Sequence, residues 1–134
     1  MGKVMAKVRM WNYSEEEKVK RGEVEPLEVE ALVDTGSMSV VLPTWIVERL
    51  GLLVDGEVPV VFADGHKARR DLAWGLRIET LGRSTELRAI VEPGRDTPLL
   101  GQLFLEDTCL LVDCKSGKLV PDPAYGGEEV HEVI

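Results

Sequence analysis

Short segments in which apolar and polar residues alternate, each ended by a turn signal, dominate this sequence and commit it to a sheet-built fold. Lys3 to Met10 sets Val4, Ala6, Val8 and Met10 on one face, with Lys7 and Arg9 among those opposite, the period-two pattern of a half-buried strand. Leu27 to Val33 resumes it with Glu28 and Glu30 outward, then turns apolar on both faces at Ala31-Leu32-Val33, as a strand does on entering a core. Val58 to Ala63 reads as a strand despite Pro59, and Asp64-Gly65 is a two-residue hairpin signal. The return strand runs from His66 through Leu72, Trp74, Leu76 and Ile78, and Leu81-Gly82-Arg83 turns it into Thr85, Leu87, Ala89 and Val91.

Two short helices interrupt the strands. Pro43 suits a first helical turn, Trp45, Ile46, Val47 and Leu50 supply apolar residues, and Gly51 ends the segment. Gln102 to Asp107 is the second helix, Pro93 to Pro98 a loop, and Lys115-Ser116-Gly117 the turn of a last hairpin. The charged stretch Ser14 to Glu25 reads as a solvated connection, with a single helical turn as the alternative. The pattern predicts a mostly β fold with a closed or strongly curved sheet. One domain is expected over residues 1–121, followed by an acidic tail over 122–134 rich in Pro, Gly and Glu.

Charge and composition remove several functions. A formal net charge of −8 opposes nucleic-acid binding, which needs a clustered basic surface. Lys67, Arg69 and Arg70 do cluster, and are expected as the solvated face of a strand, with a local anionic contact as the alternative. No apolar run reaches the roughly 20 residues of a membrane-spanning helix, and Met1-Gly2-Lys3-Val4 lacks a secretory apolar stretch. Gly2 does not open an acylation motif, because position 6 is Ala. The expectation is a cytoplasmic protein with no membrane partner. Cys109 and Cys114 lie five apart in an expected strand, facing opposite ways, which disfavours a disulfide and suggests a buried Cys109. Neither has the paired His or Cys spacing of a metal site, so no metal or other cofactor is expected. His66 and His131 belong to no nucleophile motif. Trp11, Trp45 and Trp74 are expected as core and interface anchors.

The chemistry concentrates in Ala31-Leu32-Val33-Asp34-Thr35-Gly36-Ser37. An aspartate at the end of an apolar strand is costly unless hydrogen-bonded or functional. Gly36 permits a tight turn that brings backbone N–H groups to the carboxylate, while Thr35 and Ser37 add hydroxyl donors. A bare Asp-Thr-Gly is a weak signal, equally compatible with an ordinary turn at a strand end. Its surroundings strengthen it.

Leu32 to Pro43 (LVDTGSMSVVLP) resembles the active-site loop of the aspartic proteases. Leu99-Leu100-Gly101 before a short helix resembles the family's second signature, which packs behind that loop. Phe62-Ala63-Asp64-Gly65-His66 lies between them, where the retropepsin flap belongs, with Ala63 to His66 expected against the substrate, although turn chemistry alone fits a plain hairpin equally well. The order of these parts is similar to that of small stand-alone microbial retropepsin-like proteases of clan AA. The resemblance implies a retropepsin-like β-barrel whose active site lies on a homodimer two-fold axis.

The resemblance also implies a mechanism. One Asp-Thr-Gly per chain supplies one carboxylate, whereas the chemistry uses two, so Asp34 of each subunit would meet at the axis. The pair would share a proton and activate a water on a peptide substrate, without a cofactor. Thr35 is implied in hydrogen bonds across the dimer, and the termini (Met1 to Lys7 and the region after Lys118) in the interface. The competing reading is a non-catalytic domain of the same fold that dimerises or captures peptides.

Overall fold

The computed structural model describes residues 3–134. The expectations resting on Met1 and Gly2 lie outside the described residues, as does that end of the implied interface segment.

The alternating segments close into a six-stranded barrel. Strand β1 (Val4–Asn12) pairs antiparallel with β2 (Leu27–Val33) from Val4↔Val33 to Met10↔Leu27. Its far end pairs with β5 (Lys67–Thr80) from Arg9↔Glu79 to Asn12↔Leu76. Between these two contacts run β7 (Leu99–Leu100), β3 (Val40–Leu42) and β6 (Arg83–Val91), giving the circular order β1-β2-β7-β3-β6-β5-β1. Closure removes free sheet edges from the ring. Strand β4 (Leu53–Val61) stands outside it, paired only with β5.

Ala6, Val8 and Met10 are buried as the alternation of β1 requires, and Leu76 and Ile78 of β5 meet them in the core. Two helices cap that core. Helix α2 (Thr44–Leu50) buries Ile46 and Val47 and ends on Gly51, whose φ of 62° is the left-handed cap glycine tolerates best. Helix α3 (Gln102–Thr108) buries Phe104, Leu105 and Thr108. Filling the interior with Phe104, Leu42, Ile46 and Leu100, all fully buried, contributes about 1.5–3 kcal/mol per side chain. A separate hairpin, β8 (Leu110–Asp113) with β9 (Lys118–Pro121), follows α3 and buries Leu110 and Leu119 against the same core.

Three details differ from the sequence reading. The charged connection after β1 folds as a 3-10 turn (Tyr13–Glu15) and a third helix, α1 (Glu16–Lys20). Asn12 caps that turn by accepting from Ser14 N–H at 2.9 Å, and Lys20 lies 3.8 Å from Glu16 and 3.7 Å from Glu17. Acid at the start and base at the end complement the helix dipole. Strand β4 begins at Leu53 rather than Val58, because a bulge at Asp55-Gly56 lets pairing with β5 continue past two residues the alternation pattern excluded. The cysteines share no strand: Cys109 ends α3 with a φ of 54° and is half-buried, while Cys114 is exposed in the last hairpin turn. Trp11 is buried, whereas Trp45 and Trp74 stay partly exposed and donate to the carbonyls of Asp96 and Asp55.

Candidate active site

Strand β7 lies between β2 and β3, which are neighbours in sequence but not in the sheet. The chain between β2 and β3 must therefore cross the end of β7, and that crossing is the Asp34 turn. Its entry is pinned by two backbone bonds, Leu32 N–H to Pro98 C=O at 2.8 Å and Asp34 N–H to Leu100 C=O at 3.0 Å. Inside the turn Ser37 N–H donates to the Asp34 carbonyl at 3.2 Å. The Asp34 carboxylate accepts Gly36 N–H on Oδ1 at 2.9 Å and faces the Ser37 hydroxyl from Oδ2 at 3.3 Å. A Cβ at Gly36 would stand 3.2 Å from that Oδ1, so glycine keeps the carboxylate close to the backbone donor.

Behind the turn the packing is tighter still. Leu99 and Leu100 are buried, and Gly101 faces the backbone of Ser37, Met38 and Ser39. The first N–H groups of α3 hold the same segment, Gln102 to Ser37 C=O at 2.8 Å and Leu103 to Met38 C=O at 3.0 Å. These bonds satisfy helix-start donors that lack partners within the helix. Thr35 is exposed, and among the described residues its hydroxyl has no partner in the chain.

Opposite stands the β4–β5 hairpin. Phe62 N–H donates to His66 C=O at 2.9 Å and Gly65 N–H to Phe62 C=O at 2.8 Å, with Gly65 at a φ of 89°. Asp64 Oδ1 accepts His66 N–H at 3.0 Å and lies 2.6 Å from His66 Nδ1. The His66 N–H, followed by its side chain, holds the Asp64 carboxyl below its ordinary value. The His66 ring stacks on Phe62 with centroids 4.3 Å apart. At the hairpin base Arg70 lies over Phe62 and donates from Nε to Glu92 Oε1 at 2.9 Å, joining the hairpin to the end of β6. Arg70 thus turns away from the solvated face expected for the basic cluster.

Between hairpin and turn is a cleft of about 480 Å³. Gly36 and Ser37 border it from the turn, Leu99 from β7 and Ala63 from the hairpin. Asp64, Gly65 and His66 form the outer hairpin turn and bond among themselves instead of lining the cleft. Phe62, expected in the hairpin, lines it as well, and so do Pro59 to Val61, Ile90, Glu92 and Arg95, none of which the sequence reading assigned there. Pro59 to Phe62 immediately precede the hairpin signal, and Arg95 sits in the Pro93–Pro98 loop ahead of Leu99, so position along the chain was the available signal. Among the described residues no group of three or more His, Cys, Asp or Glu could hold a metal ion, and no helix is long and apolar enough to cross a membrane.

The family model described as aspartyl protease matches residues 20–104, a span from the last residue of α1 to the third residue of α3 that includes the turn, the hairpin and Gly101. No curated protein matches the sequence. Among solved structures, EIAV protease complexed with the inhibitor HBY-793 superimposes with a TM-score of 0.54 at 19% identity, covering 79% of this chain and 88% of that one. At that identity the likeness establishes the fold, which is the retropepsin fold.

Proposed function

This chain belongs to the aspartyl protease family, and from that premise we propose that it is an endopeptidase whose two carboxylates are the Asp34 side chains of a homodimer. The observation that carries the reading is the Asp34 turn itself. A half-buried carboxylate is held by a backbone N–H and faced by a hydroxyl, on a loop bonded to β7 and α3, at the edge of a cleft beneath a hairpin.

One such turn is half of a site. A two-fold axis beside Asp34 brings its copy face to face, and two carboxylates about 3 Å apart share one proton because both cannot ionise easily. The ionised member takes a proton from a water held between them. The protonated member donates to the scissile carbonyl, and the pair then passes a proton to the departing amine. Exposed Thr35 is free to bond across the axis. The β4–β5 hairpin covers the peptide and excludes bulk water, with Ala63 on its inner side. The catalytic unit is residues 1–121, and 122–134 is an appendage to it.

The test compares the protein with Asp34→Asn on a diverse peptide pool from acidic to neutral pH, alongside mass in solution. The expected result is a dimer in both, with cleavage reduced about 10²- to 10⁴-fold or more in the variant. Equal cleavage by both proteins, or cleavage by a strict monomer, refutes the mechanism. A dimer that binds peptides and cleaves none supports the non-catalytic reading.

A further inference from the structure

The cleft carries its own charge, and that charge selects a substrate. Its lining mixes the apolar side chains of Met38, Val41, Ile90 and Leu99 with polar groups of the turn, and among the described residues the charged side chains bordering it are Glu92 and Arg95. These two are not equivalent. Glu92 is neutralised within the protein, since its Oε1 accepts from Arg70 Nε at 2.9 Å and the two side chains are only 18% and 25% exposed. Arg95 uses Nε to donate to the carbonyl of Thr97 at 2.8 Å, and among the described residues it forms no ion pair. Its Nη groups are left without a carboxylate in a chain of net charge −8 in which acids outnumber bases by 24 to 16.

The loop holds that cation in place. Arg95 N–H donates to Glu92 C=O at 3.1 Å, closing a turn, and the Nε bond to Thr97 fixes the plane of the guanidinium. Arg95 stands between the cleft and a neighbouring groove that it lines together with Asp96, Thr97, Lys3 and Met5, and Asp96 does not itself border the cleft. A guanidinium fixed in this way presents a planar fork matched to a carboxylate.

We infer that Arg95 is a specificity-determining residue that recognises an aspartate or glutamate side chain in the peptide bound in this cleft. The inference rests on the peptidase reading for the identity of the ligand but not for its cleavage. The preferred ligand is an extended segment with apolar side chains toward Val41, Ile90 and Leu99 and one acid beside Arg95. Glu92 contributes by holding Arg70 away from the ligand, so that a single cation reads the charge.

The experiment uses the full chain and a randomised peptide library, followed by matched peptides differing by one Glu-to-Gln change. Binding is read on Asp34→Asn and cleavage on the unaltered protein. The expected discrimination for Glu over Gln is about fivefold in both affinity and kcat/KM, the scale of a partly exposed ion pair. Raising salt should shrink it. Arg95→Gln should abolish the ratio, Arg95→Glu should invert it toward lysine-containing peptides, and Arg95→Lys should partly restore it, which a purely structural role would not do. Cleavage with no acidic preference overturns the inference while leaving the peptidase reading intact. Acid-selective binding without cleavage does the opposite. Failure to bind any peptide, or a ratio unchanged by Arg95→Gln, overturns the inference.

Discussion

Replacing Gly101 with alanine tests whether the Asp34 turn is held from behind as the structure shows. The added Cβ would lie 2.6 Å from the carbonyl oxygens of both Ser37 and Ser39 and 2.7 Å from the Met38 carbonyl carbon. Ordinary contact begins at 3.4 Å, so the shortfall is about 0.8 Å against three backbone atoms, none of which is a flexible side-chain end. Either α3 or the turn must retreat, and retreat stretches the bonds from Gln102 to Ser37 and from Leu103 to Met38. Overpacking of this kind costs about 2–3 kcal/mol. With an unfolding entropy of about 2.1 cal/mol/K per residue, that lowers Tm by about 7–11 °C for a chain of this length. Gly94→Ala is the matched control, since nothing stands within 4 Å of its Cβ and its φ is not in the left-handed region. It should leave Tm unchanged or raise it slightly through the unfolded state. Differential scanning calorimetry gives the two shifts, and peptide cleavage below the variant's transition shows whether the displaced turn also slows catalysis. A Gly101→Ala protein as stable as Gly94→Ala would refute the close approach.

The hairpin tip and the C-terminal segment yield two further predictions. Because backbone and side-chain bonds from His66 lower the Asp64 carboxyl in the folded state, the stabilisation they give is present above the unfolded value of 3.8 and is lost as pH falls through the lower folded value. A carbon-detected NMR titration should place the Asp64 midpoint below 3.8, and a midpoint at or above 3.8 would show that the His66 bonds are absent in solution. Arg83 donates to the carbonyls of Thr108, Cys109 and Gly127, fastening the end of α3 and the segment after β9 to the barrel. Arg83→Ala should cost about 2 kcal/mol and raise amide exchange around Gly126 to Val130, and unchanged exchange there would contradict that anchoring.

Much of the barrel was legible because alternation is a local signal. In β1, β5 and β6 most residues whose spacing marks one face are buried, Val8, Met10, Leu76, Ile78 and Ala89 among them, whereas Trp74 is turned outward and Ala73 inward where the register of β5 shifts before Leu76. The turn at Leu81-Gly82 and the stop at Gly51 were equally local, each a backbone with positive φ. What escaped was set by partners distant in sequence. The insertion of β7 between β2 and β3 depends on a two-residue strand too short to show a period. Helix α1 sits in a stretch whose charges suggested solvent, yet Trp11 Nε1 donates to Glu16 at 2.7 Å and pins that helix to β1. Asp34 could be singled out from its neighbours in sequence, whereas Arg95 could not. Its value lies in which charges around it are already paired, and Arg70 and Glu92 are 22 residues apart.

The two sides of the cleft are built to different stiffness. On one side, the chain around Asp34 is bonded to Pro98, Leu100, Gln102 and Leu103, and Leu100 beneath it is fully buried. Opening that loop means breaking bonds in two elements and exposing core, so its free energy approaches that of global unfolding. On the other side, β4 has a single neighbour, and seven of its nine residues from Leu53 to Val61 are exposed. Its bulge at Gly56 interrupts even that pairing. None of its residues is buried in the core, and its side-chain ties to β5 are the bonds from Arg69 Nε to Glu57 at 3.1 Å and from Trp74 Nε1 to the Asp55 carbonyl at 2.8 Å. A carboxylate that must hold a water against a twin needs the first kind of mounting, since small displacements cost rate steeply. A cover that must admit a peptide and release its fragments needs the second. Hydrogen exchange should therefore rank Asp34 and Gly36 amides well above those of Phe62 and Gly65 in protection, and the reverse order would break the link drawn here between packing and role.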